Sequence, residues 1–175
     1  MSNLIQIKEV TADGTAATLD ITDIFSADYD IYKITSSSHQ NSDTHTGLHI
    51  RFIDSGGRVI TASDYGYGRV RLMTNDNTNH ERVENQSRIT NGFGLADLHP
   101  QGSTTVTYVF NPFNSSTYTF TTEETLWAYT GQIEMRKGIG VLTQTASMTG
   151  IRAYLDSNTI TDKTKIRVYG LQRDT

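Results

Sequence analysis

Short stretches of the chain alternate apolar and polar residues with a period of two, as a strand with one buried face does. In 48–53, Leu48, Ile50 and Phe52 share one side while His49 and Arg51 take the other. The same alternation sets Ile151, Ala153 and Leu155 against Arg152 and Tyr154, and Ile166 and Val168 against Arg167 and Tyr169. Val106, Tyr108 and Phe110 group together in 105–110, and 29–34 and 118–121 follow the pattern less cleanly. Turn chemistry separates these runs. Asp54-Ser55-Gly56-Gly57 lies between 48–53 and 59–63 and predicts a hairpin, because glycine supplies the positive φ of a tight reversal. Asn111-Pro112-Phe113-Asn114-Ser115-Ser116 follows 105–110, and Asp156-Ser157-Asn158 follows 150–155.

Short strands with frequent turns predict an all-β fold: a single-domain antiparallel β-sandwich, jelly-roll-like, over residues 1–175. Two stretches resist the pattern. Residues 74–102 are polar, rich in Asn and Gly, and without sustained period, which predicts a long irregular insertion, either one long loop or a pair of loops around a short strand. In 131–149, Glu134-Met135-Arg136-Lys137 reads as the start of a helical turn that Gly138 and Gly140 would break.

Composition agrees with strands. Thr and Ser supply roughly a quarter of the 175 residues, and β-branched Thr favours the pleated conformation. The absence of cysteine excludes disulfides, thiolate metal sites and a cysteine nucleophile. A net charge of -4 argues against a general nucleic-acid or membrane-surface binder, which needs a basic face. The first residues, MSNLIQIKEV, lack the basic and long apolar regions of a secretory signal, and no apolar run is long enough to span a bilayer.

Candidate chemistry is sparse. His39, His45 and His49 with Asp43 hold metal-ligating atoms, but two of the histidines fall in a Ser- and Asn-rich stretch that reads as a solvated connection. Asn75-Asp76-Asn77-Thr78-Asn79-His80-Glu81 alternates oxygen side chains. Yet His80 and Gln86 occupy the positions where a calcium loop needs Gly and a bidentate Glu. Glu123 and Glu124 are adjacent, so on a strand they face opposite ways and cannot work as a carboxylate pair. No Gly-x-Ser-x-Gly elbow occurs. The expectation is a protein without catalytic residues, metal or cofactor. Tyr65, Tyr67, Trp127 and Tyr129 are the candidates for a sugar-stacking platform, since an aromatic ring covers the apolar face of a pyranose.

Several short motifs recur in a fixed order. Tyr29-Asp30-Ile31-Tyr32-Lys33-Ile34 comes first, then Leu48-His49-Ile50-Arg51-Phe52, then Asn111-Pro112, and last Ile166-Arg167-Val168-Tyr169-Gly170. Taken in this order, the chain over roughly residues 18–171 resembles small β-sandwich virion structural proteins of tailed bacteriophages, of the marine and cyanobacterial type. The resemblance implies a capsid decoration, head fibre or tail-associated module, made in the bacterial cytoplasm and carried in the phage particle. It transfers no catalytic residue. Its expected partners are copies of itself, a trimer being the favoured stoichiometry, and other virion proteins. Direct contact with nucleic acid or membrane is not expected. The alternative is a carbohydrate-binding, receptor-binding module with a host-surface glycan as ligand. Phe93, Leu95, Leu98 and Phe113 fall in predicted loops, where exposure of apolar side chains is costly, and are the expected interface residues.

Overall fold

The computed structural model describes residues 4–37, 46–74, 78–90, 95–96, 103–129 and 132–172. It is all-β, with two principal antiparallel sheets packed as a sandwich. In chain order the strands are β1 (Leu4–Thr11), β2 (Thr18–Ile21), β3 (Ile31–Ser37), β4 (Thr46–Gly47), β5 (His49–Asp54), β6 (Tyr65–Met73) and β7 (Thr78–Gln86). There follow β8 (Leu95–Ala96), β9 (Ser103–Phe110), β10 (Thr119–Tyr129), β11 (Gln132–Leu142), β12 (Met148–Tyr154) and β13 (Lys165–Leu171). The large sheet has the order β1-β13-β3-β9-β10-β11-β6-β7, and the small one β2-β12-β5. The pair β4-β8 stands apart from both.

The runs with the cleanest alternation are strands, close to their predicted limits: β5, β9, β12 and β13; the less regular 29–34 run overlaps β3. Asp54 closes the predicted hairpin. Its carboxylate accepts from the amides of Gly56 (3.0 Å) and Arg58 (2.9 Å), and Gly57 takes φ of 79°. The returning arm is slight, a bridge from Ile53 to Val59 and a bond from the Ile60 amide to the Phe52 carbonyl. Two expectations are corrected. Strand β7 runs through the predicted irregular insertion. The predicted helical turn at Glu134 to Lys137 is the middle of β11, paired along its length with β10 and β6.

The core lies between the small sheet and one flank of the large one. Ile21, Ile151, Ala153, Ile50 and Phe52 from the small sheet join Tyr32, Ile34, Val109, Ile166 and Val168 from the large sheet in one buried cluster. Two tyrosines fasten the layers. The Tyr65 hydroxyl accepts from the Phe52 amide (2.9 Å) and donates to the Ile60 carbonyl (3.2 Å). The Tyr32 hydroxyl accepts from the Ser26 amide and donates to the Ser26 carbonyl. These bonds matter because a buried hydroxyl without a partner costs about 1–3 kcal/mol. The Tyr29 ring lies directly over Gly170, where any Cβ would come within 2.6 Å of it. Both outermost ladders are irregular: the β1–β13 register shifts between Gln6 and Lys8, and the β6–β7 register between Tyr65 and Tyr67.

Candidate functional site

The register of the large sheet defines two faces. On the inner face one row of cross-strand neighbours reads Val168, Ile34, Thr107, Glu123, Gly138, Arg69, Glu81. The next reads Ile166, Ser36, Thr105, Thr125, Arg136, Arg71, Asn79. Polarity therefore climbs across the sheet, from aliphatic on β13 and β3, through hydroxyls on β9 and β10, to charge on β11 and β6. Thr105 and Thr125 bond to each other in the middle zone (3.0 Å), which satisfies two buried hydroxyls at once.

At the charged end, Glu123, Glu134, Arg69 and Arg136 are all buried. Glu134 is shared: one carboxylate oxygen accepts from Arg136 Nε at 2.5 Å, and the other pairs with Arg71 Nε at 3.4 Å. Arg69 pairs with Glu81 at 3.1 Å and lies over the Tyr67 ring, 4.5 Å from its centroid. Tyr67 in turn donates to Glu81 (3.2 Å). Burial pushes the Glu123 carboxyl up to about 7, against the lowering charges of Arg69 and Arg136. Gly138 makes room for it, since a Cβ there would sit 2.8 Å from a Glu123 oxygen. Glu124, the next residue, is exposed on the opposite face, as the alternation requires.

The outer face has the reverse order. Over β1, β13 and β3 it is polar, with Glu9 held by Arg167 (2.6 Å) and Lys165 (3.2 Å). Over β9, β10, β11 and β6 it is apolar and open. Ile139 is 66% exposed, Ile133 60%, Leu126 48% and Phe120 46%, with Tyr118, Leu72, Val70 and Tyr108 close behind. At ordinary residue areas these eight expose on the order of 700 Å², beyond the ~300–600 Å² of the largest patch on a typical monomer. Glycines 66 and 68 deepen part of this face into a groove of about 510 Å³ between Phe110, Phe120, Ile139 and Val141. Near the middle, Glu124 and Lys137 are exposed cross-strand neighbours of opposite charge.

A third polar cluster sits beside the small sheet. His49 is buried, with Nε2 3.2 Å from an Asp156 oxygen, and Arg88 pairs with the other oxygen of the same carboxylate. The Tyr154 ring packs edge-on against His49 and lies under the Arg51 guanidinium at 4.6 Å. Burial, helped by the charge of Arg88, lowers the His49 pKa to about 4, so the ring is neutral at pH 7. No group of three or more metal-ligating side chains occurs among the described residues. His39, Asp43 and His45 lie outside them, as do Asn75 to Asn77 of the oxygen-rich stretch.

The sequence-derived site residues fare unevenly. Tyr65 is a core residue and Trp127 is buried under Arg136, so the expected aromatic platform does not form with Tyr67. Tyr129 ends β10, and its side chain lies outside the described set. Phe113 packs against the core instead of facing a neighbour, because the Asn111 turn docks on Ser147 and Met148. Leu95 lies on β8, paired with Gly47, and its side chain is outside the described set, as are Phe93 and Leu98 altogether. The open apolar face was missed. Its signal is the period-two series Ile133, Met135, Ile139, Val141, whose inward partners are Glu134, Arg136, Gly138 and Gly140. No protein-family model matches the chain, and no curated protein matches it in sequence.

Proposed function

We propose that the chain is a non-enzymatic structural protein of a tailed-phage particle, a building block that works through protein–protein contact and first of all with copies of itself. The observation that carries this reading is the apolar outer face of β9, β10, β11 and β6. Its exposed area is close to the ~800 Å² that each partner buries in a standard stable interface. A second copy is the occupant that fits. Glu124 and Lys137 sit side by side, so two copies related by symmetry can exchange Glu124–Lys137 contacts across apolar surroundings. The ordered motifs shared with small virion β-sandwich proteins point the same way.

Sedimentation of the wild-type chain and of Ile139→Lys tests self-association. The wild type should form a homo-oligomer, and the variant should sediment as a folded monomer. A monomeric wild type, or an oligomer indifferent to the substitution, overturns the assignment of this face. Mass spectrometry of purified capsids and tails tests the location, and absence of the chain from both would refute the virion role.

A further inference from the structure

Beyond the outer face, the geometry points to a binding site for a small oxyanion or carboxylate at the charged end of the inner face. Between β6, β7 and β11 there is a cavity of about 140 Å³ lined by Arg69, Arg71, Arg136, Asn79, His80 and Glu81. Its volume exceeds the share of a single water, about 30 Å³ in the liquid, by enough for a phosphate or a carboxylate group. Three guanidinium groups on one cavity wall supply planar forks of N–H donors, the geometry that grips oxyanions in pairs of parallel bonds.

The unmet demand is concentrated on Arg69. Its side chain is 4% exposed, and Nε, Nη1 and Nη2 are all buried without a hydrogen-bond partner. Glu81 approaches Nε at 3.1 Å, outside hydrogen-bond geometry, and is itself 49% exposed. Among the described residues, the other carboxylates near the cavity relieve Arg69 little. Glu134 serves Arg136 and Arg71. Burial pushes the Glu123 carboxyl up to about 7, so at pH 7 it is only partly ionised beside Arg69. Three arginines thus line the cavity beside Glu81, and the donors of Arg69 stay unmet. A buried charge of this kind is tolerated when paired and bonded, and an oxyanion supplies both functions at once. The anion can be free in solution, or it can be the Asp or Glu side chain of a neighbouring protein.

The test is thermal unfolding of the full chain in inorganic phosphate and in acetate, each against chloride at the same ionic strength and pH. A saturable rise in Tm of about 5 °C at a hundredfold excess over Kd is expected. Phosphate alone acting identifies a free oxyanion, and acetate acting alone or as strongly identifies a carboxylate. Arg71, a third exposed, is the variant of choice. Arg71→Gln takes one partner from buried Glu134 and should lower Tm in chloride, and against that lower baseline it should lose the anion-dependent rise. Arg69→Lys, which keeps the charge and loses the fork, should weaken binding about tenfold. If Arg71→Gln fails to fold, exposed Asn79→Asp places a repelling charge in the same cavity and should abolish the rise. Equal Tm in anion and chloride, or a rise that survives these substitutions, overturns the site.

Discussion

The two flanks of the large sheet use the same backbone to opposite ends. Over β13 and β3 the inner face is aliphatic, the small sheet covers it, and the outer face is polar. Over β10, β11 and β6 the inner face carries Glu123, Glu134, Arg69 and Arg136, and the aliphatic side chains point outward. The first flank is held by area removed from water, worth about 25 cal/mol per Å². The second is held by ladder bonds, by the shared Glu134 and by threonine pairs, and it leaves its apolar area open. One flank is covered within the chain, and the other leaves its apolar side chains exposed.

Substitutions separate the flanks. The largest effect belongs to the covered side: Ile34→Ala, at a fully buried position, should lower stability by about 2–5 kcal/mol in urea unfolding. Gly138→Ala should cost about 1–3 kcal/mol, since the new methyl would sit 2.8 Å from a Glu123 oxygen and 3.1 Å from the Gly68 carbonyl.

The pH dependence sharpens the contrast. Glu123 binds its proton more tightly in the folded chain (about 7) than at its ordinary value of 4.5. Below 4.5 it is protonated whether folded or not. Between 4.5 and about 7 the unfolded chain has released the proton that the folded chain still holds, so stability falls as pH rises through about 7, by about 3 kcal/mol in all. Glu123→Gln should remove that slope. His49, beside the small sheet, acts with the opposite sign. Its pKa is lowered from 6.5 to about 4, so its stabilising share is complete above 6.5 and is lost as pH falls through about 4. His49→Gln should flatten the acid limb of the same titration, by about 1–3 kcal/mol. Smallest of all, Ile139→Lys should leave the unfolding free energy of the monomer within about 0.5 kcal/mol, because the side chain is 66% exposed.

The covered flank was legible because its alternation obeys the usual rule, apolar inward. Ile166 and Val168 against Arg167 and Tyr169 gave β13 almost residue for residue. The open flank inverts the rule, which hid it. In β11 the inward positions are Glu134, Arg136, Gly138 and Gly140, so the segment suggested a broken helical turn. The glycines there answer needs no single strand displays: Gly138 leaves space for Glu123, and Gly140 for Ile89, whose side chain would lie 2.8 Å from a Cβ. Strand β7 was illegible for a related reason. Its side chains are mostly exposed, so nothing in them had to be apolar. An apolar residue in a predicted turn stands out in a sequence, whereas an apolar residue on a strand reads as one that faces the core.

The irregular ladders at Gln6/Lys8 and at Tyr65/Tyr67 lie at the two margins of the large sheet, where β1 and β7 each have one side unpaired among the described residues. A bulge twists a margin and spoils its match to an incoming strand, and the charges of β7 add to that obstacle. Fibrillar growth by strand addition is therefore impeded at both ends. The pairing proposed above, through the broad side, would by contrast end in a closed assembly and not in a thread of indefinite length.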